Sequence, residues 1–300
     1  MFGSCKFKAP HFIDTLKGVT DLVDWVALQD TWLGDLQPPL YVDLEGERLG
    51  LQQAFVIDIY TLGTAAFHTA GVRGKSLKNI LESPEILKVF FDVRNDSDAL
   101  YAHYGIQLSG VRDIQLMESA NRQSTQSRKF VCGLSKCIES VLIGRDRDQW
   151  KLCKEAGERL WNPDKGGSYS VFNARPLSNE IIAYCAGDVQ YLPALYKKFR
   201  YGTNRWGELI AEASQDRVSA SQTAEYQPDG PHKARSSWTS EQNRLLDTWG
   251  DGNQRHGCSS SVSWDIFDEE ESQDWDDFDD GPTSCRDIIS DSDYAYYYPD

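Results

Sequence analysis

The chain lacks the features of a disulfide-stabilised, zinc-binding or membrane-spanning protein. Its seven cysteines are odd in number and scattered, and no two form a C-x-x-C pair. They therefore predict reduced thiols in an intracellular protein, without deciding between nucleus and cytoplasm. No apolar run approaches the ~18 residues of a membrane span, and the first residues contain no apolar core of signal-peptide length. We therefore expect no membrane partner.

Basic residues are fewer than acidic ones, but most of the excess negative charge lies in one segment at the C-terminal end. The net charge is −15, yet residues 264–300 alone carry fourteen acidic side chains and one basic one, a net −13. The other 263 residues therefore carry only −2. Residues 122–175 contain eleven Lys or Arg and six acidic residues. A nearly neutral body with a basic segment leaves a nucleic-acid partner open.

The order of apolar segments predicts an α/β fold. Strands are expected at 41–45, 54–60, 88–92 and 111–114, and helices alternate with them before a helical second half. The helices are expected at 16–33, 96–104, 114–120, 133–143, 147–160 and 178–200.

The second half of the chain changes character beyond residue 200. We expect one domain over 13–200 and a helical extension over 201–227. Residues 228–263 are rich in Ser, Gly, Asn and Gln and are expected to form a linker, whereas 264–300 is too acidic to fold alone. This disordered acidic tail either solubilises the protein or, through its isolated aromatic residues, binds a protein partner.

A short strand with two acids, Tyr41-Val42-Asp43-Leu44-Glu45, is the first candidate site. Side chains alternate across a strand, so Asp43 and Glu45 would share one face. Two neighbouring carboxylates repel each other in a poorly solvated site, and a divalent cation with oxygen ligands relieves that cost. The alternative is an edge strand with a solvated acidic face.

Further acids come from two later segments. Asp96 follows the strand at 88–92, where it could face a ligand or simply cap a helix; Asp92 and Asp98 compete for the same role. Tyr184 and Asp188 are four residues apart on an apolar helix and so share one face. The alternative is an exposed helical face with two polar groups.

These three motifs, in this order, resemble those of the DEDD exonuclease superfamily in its tyrosine-bearing branch. Tyr41-Val-Asp-Leu-Glu-Gly, Phe91-Asp-Val-Arg-Asn-Asp and Tyr184-Cys-Ala-Gly-Asp are similar to the ribonuclease D group. Within that group the chain most resembles the fungal and animal exonuclease-domain proteins related to egalitarian, over roughly residues 13–200.

The resemblance implies an RNase H-like mixed sheet flanked by helices, and 3′–5′ hydrolysis of RNA or single-stranded DNA by a two-metal mechanism. Two Mg²⁺ or Mn²⁺ ions would be held by Asp43, Glu45, Asp96 and Asp188. Tyr184 would orient the attacking water. Two cations roughly 4 Å apart can activate a water and stabilise the leaving oxygen of one phosphodiester.

Candidate nucleic-acid contacts lie in the motifs and in the basic segment. Leu44 and Arg94 lie within the motifs, while Lys165 and Arg175 are flanked by aromatic residues that could stack on bases. The alternative is a set of solvated basic helices whose aromatic residues belong to the core.

The chain departs from the family pattern directly after the first motif. Only residues 47–53 separate it from the strand at 54–60, where the family has a further strand. Strands of ~5–6 residues with their turns would not fit there. We therefore expect either that 54–60 takes the place of this strand beside 41–45, or that one sheet strand is missing, which would loosen the site.

Two other functions stay open at this stage. The chain could be a nucleic-acid-binding adaptor that keeps the exonuclease fold without chemistry, or an interaction platform that works through its acidic tail. Retention of all four acids and of the tyrosine favours the enzyme, and nothing in the sequence indicates an oligomeric state.

Overall fold

The computed structural model of the protein describes residues 10–33, 40–43, 46–49, 53–200 and 204–251. In these residues six strands form one sheet: β1 His11–Ile13, β2 Leu40–Asp43, β3 Gly46–Leu49, β4 Gln53–Ile57, β5 Lys88–Phe90 and β6 Val111–Asp113. Their order across the sheet is β1-β4-β3-β2-β5-β6. β3 is antiparallel to both of its neighbours, while the other pairs are parallel. The expected mixed α/β sheet is confirmed.

The expectation of a missing strand is wrong. β3 lies between β2 and β4, with Arg48 opposite Tyr41 on one side and Ala54 on the other. The strand fits because it has only four residues and because two residues connect it to β2, which is the commonest length of a hairpin connection. For the same reason, β4 does not take its place beside β2.

The helices agree broadly with the sequence pattern. In the described residues they are α1 Leu16–Leu33, α2 Ile59–Leu62, α3 Ala65–His68, α4 Leu77–Glu82, α5 Arg94–Tyr104, α6 Ile114–Ala120, α7 Leu134–Glu139, α8 Arg145–Trp161, α9 Asn179–Val189, α10 Leu192–Phe199, α11 Asn204–Ser221 and α12 Ser240–Asp251. The single helix expected over 178–200 is two helices, because the chain turns at Gln190–Tyr191 and Pro193 follows in the first turn of α10.

Two segments differ from the sequence-based expectation. β1, a three-residue strand at the edge of the sheet, is not among the expected strands and pairs with β4. The expected linker over 228–263 is wrong up to residue 251, because α12 is folded and Trp238 and Leu246 are buried against the body. Trp238 Nε1 also donates to Ser119 Oγ at 3.0 Å. The acidic segment 264–300 lies outside the described residues.

Alternation along β2 divides the core into two faces of the sheet. Leu40 and Val42 pack with α1, α4 and α5. Tyr41 faces the other side, where it joins residues of α6, α10 and α11 in a second cluster. α9 covers the neighbouring part of this second face, with Ile181 and Cys185 against Val56 of β4.

No helix among the described residues has both the length and the apolar character needed to cross a membrane. None of the described cysteines forms a disulfide: Cys132, Cys137 and Cys185 are buried, and Cys153 is exposed.

A buried lysine supports the start of β5. The side chain of Lys88 is fully buried, and its Nζ donates to the carbonyl oxygens of Ile80, at 3.1 Å, and Ser83 at the end of α4. Burial lowers the pKa of Lys88 from 10.5 to about 7, since the charged form loses its hydration.

This lowered pKa predicts a pH dependence of stability. Between pH 7 and 10.5 the unfolded chain holds a proton on Lys88 that the folded chain lacks, so folding becomes more favourable as pH rises. Relative to Lys88→Met, the free energy of unfolding of the wild type should rise by about 1.4 kcal/mol per pH unit in this range. Urea unfolding of both proteins from pH 6.5 to 10 measures the difference, and parallel curves would contradict the prediction.

Candidate active site

The carboxyl ends of three neighbouring parallel strands meet at one edge of the sheet. Tyr41 of β2 lies opposite Val89 of β5, and Phe90 of β5 lies opposite Asp113 of β6. β2 ends at Asp43, and β5 leads directly into the turn before α5. This edge, where open α/β sheets commonly bind ligands, therefore carries the first and second motifs.

Asp43 occupies the face of the sheet that α9 and α10 cover. Tyr41 shares that face, with its ring centroid 6.0 Å from that of Tyr196 in α10, and Asp43 is two residues further along the strand. The Asp43 side chain is partly exposed. The strand β2 ends at Asp43. The next two residues, Leu44 and Glu45, lie outside the described residues.

Asp96 lies in the first turn of α5 and is 8% exposed. Its two competitors are distinguished by their surroundings. Asp92 adopts a left-handed backbone conformation, with φ 56°. Its carboxylate accepts hydrogen bonds from Nε and Nη2 of Arg94, both at 2.6 Å. Asp98 is buried two residues further along the same helix. Only Asp96 therefore combines a position in the first helical turn with a carboxylate outside that arginine pair.

Tyr184 and Asp188 lie on α9, which packs across β4, β3 and β2. The Tyr184 ring sits against Gly157 of α8, where a Cβ atom would stand 2.2 Å from Cδ2. The Trp161 ring is 5.9 Å away. Gly157 is needed because any side chain there would displace the tyrosine.

Lys154 links Asp188 to two other helices. Its Nζ lies 3.9 Å from Asp188 Oδ2 and donates to Ser135 Oγ of α7 at 2.7 Å. A cation beside Asp188 offsets part of the charge that several carboxylates would accumulate at one site.

Within the described residues, no three side chains of His, Cys, Asp or Glu are grouped as metal ligands. Asp43, Asp188 and Tyr184 belong to one face of the sheet, and Asp96 follows the neighbouring strand at its carboxyl edge. The roles of these residues and of Glu45 as ligands stay predictions.

The candidate nucleic-acid contacts are engaged within the protein. Arg94 binds Asp92 and donates to the carbonyl oxygen of Lys233 at 3.0 Å. Lys165 forms an ion pair with Glu158. The part of both residues in nucleic-acid binding stays a prediction.

Arg175 is the most constrained of these basic residues. Nε and Nη2 bind the carboxylate of Asp58, Nη1 donates to the carbonyl oxygens of Phe172 and Ala174, and the guanidinium lies 4.7 Å from the ring centroid of Tyr60. Burial would raise the pKa of Asp58, but the bonds from Arg175 and Thr61 outweigh it and lower that pKa. The pair joins the end of β4 to the segment before α9.

Another buried carboxylate, that of Asp113, is not among the residues predicted from the sequence. It is fully buried, and its oxygens accept from the backbone N–H groups of Asp92, Val93 and Gln115 and from Nη1 of Arg217. The sequence signal for it was an Asp between an apolar strand and a helix, the pattern of an N-cap. Its partner Arg217 is about a hundred residues away and carries no such signal.

The sheet order and the placement of the acids define a nuclease-like α/β domain. The family model described as 3′–5′ exonuclease matches residues 11–202, about two thirds of the chain. The chain belongs to this 3′–5′ exonuclease family. The narrower egalitarian-related branch stays a prediction.

Individual relatives agree with this assignment. Ribonuclease D of Acidiphilium cryptum is 27% identical over 222 residues, which are 72% of this chain and 49% of that protein. The human piRNA biogenesis protein EXD1 is 41% identical over 66 residues, 22% of this chain and 12% of that one. The chain thus spans half or less of the length of these relatives.

Solved structures share the fold. The Trypanosoma brucei RNase D–GMP complex superposes with a TM-score of 0.61 at 19% identity, covering 84% of this chain and 75% of that one. The same enzyme in complex with RNA U12 gives 0.59 at 21% identity, covering 84% and 83%.

The Asp58–Arg175 pair predicts an acid-sensitive contribution to stability. Arg175→Met leaves a buried carboxylate without its cation and should lower the free energy of unfolding by about 2–3 kcal/mol at pH 7. Because the pKa of Asp58 is lowered on folding, this contribution is complete above about pH 4 and is lost as pH falls further.

Urea unfolding of wild type and Arg175→Met between pH 7 and 3 measures this difference. Arg159→Met is the matched control, because Arg159 is 70% exposed and makes only a surface ion pair. An equal loss in the control, or a loss that persists unchanged at pH 3, would contradict the prediction.

Proposed function

We propose that this protein is a metal-dependent 3′–5′ exonuclease that removes nucleotides from the 3′ end of RNA. The observation that carries the proposal is the placement of the motif acids in a member of the 3′–5′ exonuclease family. Asp43 ends a central strand, Asp96 lies in the first turn of the helix after the neighbouring strand, and Asp188 lies on the helix that covers the same face as Asp43.

RNA is the preferred substrate because the relatives favour it. Two of the curated relatives carry the name ribonuclease D, and the trypanosome RNase D of the same fold was crystallised with RNA U12. Single-stranded DNA, which presents the same phosphodiester and an unpaired 3′ end, is the alternative substrate.

The donor set suits two Mg²⁺ or Mn²⁺ ions. Asp43, Glu45, Asp96 and Asp188 offer only carboxylate oxygens, the ligands that these hard cations prefer. When bound, such ions activate a water and stabilise the leaving 3′ oxygen. Asp43 and Asp188 are both partly exposed.

The chain's own contribution is orientation. Tyr184, held between Gly157 and Trp161, has a phenol that is too weak a base at neutral pH but can donate or accept a hydrogen bond. It would fix the attacking water in line with the phosphorus. The lysine beside Asp188 balances charge around this carboxylate when no cation is bound.

The first test removes one predicted ligand at a time. Asp43→Asn and Asp188→Asn keep the shape of the side chain and remove its charge, so each should lower Mn²⁺-dependent shortening of a 3′-extended, 5′-labelled RNA by about 100-fold or more. Asp216→Asn, at an exposed position of α11, should leave the rate unchanged.

Product analysis by gel and by nucleotide chromatography decides the outcome. Purified wild-type protein that binds RNA but never shortens it with Mg²⁺ or Mn²⁺ would reject the enzyme and favour the adaptor. Cleavage of equal rate in wild type and Asp188→Asn would reject the predicted site.

The second test separates orientation from metal binding. Tyr184→Phe keeps the ring against Gly157 and removes only the hydroxyl group, so kcat should fall about tenfold or more while Mn²⁺ affinity and thermal stability stay near those of the wild type. Single-turnover kinetics and Mn²⁺ titration measure the two effects. A loss of Mn²⁺ affinity equal to the loss in rate would instead make Tyr184 part of the metal site.

A further inference from the structure

Four carboxylates and three cations lie close together around the turn that connects β5 to α5. The carboxylates belong to Asp92, Asp96, Asp98 and Asp113, and the cations to Arg94, Arg217 and Lys233. Asp113 and Arg217 are almost wholly buried, at 0% and 3% exposure. Buried charges of this kind are tolerated only when they are paired and hydrogen-bonded.

The C-terminal segment, residues 204–251, supplies two of these three cations, Arg217 and Lys233. Arg217 of α11 binds Asp113 at 2.7 Å and lies 3.6 Å from Asp92. Ser214 Oγ, one turn earlier, accepts from the backbone N–H of Asp113 at 3.0 Å. This segment lies beyond the residues that the family model matches, which end at 202.

Asn95, the residue directly before Asp96, is held by the same segment. Its Oδ1 accepts from the hydroxyl group of Tyr226 and from Nζ of Lys233, both at 2.6 Å. Asn95 is only 5% exposed, so its amide oxygen depends on these donors. Tyr226 follows α11, and Lys233 lies in a 3₁₀ turn over Pro231–Ala234.

The 3₁₀ turn is itself fixed to the body. Val131 N–H donates to the carbonyl oxygen of Ala234 at 2.9 Å, and Ser236 N–H donates to that of Lys129 at 3.0 Å. The carbonyl oxygen of Lys233 receives Nη2 of Arg94. Lys233 therefore meets the first turn of α5 from a rigid support.

Besides its hydrogen bond to Asn95, Lys233 interacts electrostatically with Asp96. Burial lowers the pKa of Lys233, while Asp92 and Asp96 act in the opposite direction. Tyr226 is similarly near, because burial and the charges of Asp92, Asp98 and Asp96 raise its pKa. Tyr226 and Lys233, which both donate to Asn95, therefore also interact electrostatically with Asp96, the predicted metal ligand.

We propose that Tyr226 and Lys233 are positioning residues for the exonuclease site: by holding Asn95 they fix the first turn of α5 and present Asp96 to the divalent cations. The inference rests on the proposed function. It makes the C-terminal segment part of the catalytic unit, since a displacement of about 1 Å in a ligand is enough to impair metal-assisted chemistry.

The experiment compares three full-length variants. Lys233→Met keeps most of the side-chain length and removes the charge and its hydrogen bonds, Tyr226→Phe removes one hydroxyl group, and Lys197→Met is the control at an exposed site of α10. For Lys233→Met we expect at least a tenfold loss of kcat, a KM for RNA within twofold of wild type, and Mn²⁺ affinity reduced about tenfold. Tyr226→Phe should show smaller changes in the same direction.

A double-mutant cycle tests whether the effect passes through Asn95. Asn95→Ala removes the shared acceptor and should reproduce the loss, and Lys233→Met should then add less than twofold on that background. Lys233→Arg, which retains a charged donor, should recover part of the lost activity. Full additivity of Asn95→Ala and Lys233→Met would overturn the proposal.

Two readouts do not require turnover. Mn²⁺ binding is followed by electron paramagnetic resonance of the unbound ion, and hydrogen exchange is measured on the peptide over residues 91–98 of the metal-free protein. In Lys233→Met we expect weaker Mn²⁺ binding and faster exchange, with Lys197→Met like wild type. Unchanged or tighter Mn²⁺ binding with unchanged exchange would overturn the proposal.

These readouts keep the two proposals distinct. If wild-type protein shortens no RNA with any divalent cation, the proposed function fails, and the exchange of residues 91–98 still decides whether Tyr226 and Lys233 hold the turn. If wild type is active and Lys233→Met matches it in kcat and Mn²⁺ affinity, the proposed function stands and the positioning role is rejected.

Discussion

The buried carboxylate of Asp113 is the constraint on which the rest of the candidate site depends. It accepts four hydrogen bonds: two come from the turn after β5, one from the start of α6 and one from Arg217 of α11. Removing it would orphan donors in three elements at once, at about 1–3 kcal/mol for each unsatisfied buried group. The left-handed conformation of Asp92 is maintained by this cluster, because its N–H is directed at Asp113 while its carboxylate is held by Arg94. A non-glycine residue adopts such a conformation only where its surroundings compensate the strain.

The opposite side of the site is built on shape more than on charge. α8 approaches α9 closely at Gly157, whose missing side chain makes room for the ring of Tyr184. The ring of Trp161 also packs near the ring of Tyr184. Lys154 contacts both Asp188 and Ser135 of α7. The two halves should therefore respond to different changes. Added volume at Gly157 would displace Tyr184, whereas loss of Arg217 would release the turn before α5.

Local patterns in the sequence were enough to predict most of the sheet, α1 and α6, because apolar periodicity is a property of short segments. They failed where a distant partner decides the outcome. Arg217 and Lys233 look like ordinary surface cations in sequence, yet they complete a cluster a hundred or more residues away. Residues 228–251 were misread as linker because their polar composition hides the buried Trp238 and Leu246. β3 was missed because the usual strand length was taken as a minimum, although four residues pair well on both sides. Glu45 lies outside the described residues, so the sequence remains its only support.

The charge distribution gives the catalytic proposal a further physical basis. Asp92 and Asp113 are neutralised by arginines, and Asp58 is neutralised by Arg175, so these carboxylates have little left to offer a cation. The ion pair of Asp188 with Lys154 is as long as 3.9 Å. A carboxylate bound tightly to an arginine would have to lose that partner before binding metal, whereas a loosely paired one needs only partial desolvation. The tightly paired acids around the proposed site therefore serve to keep the supporting backbone in place rather than to bind a cation.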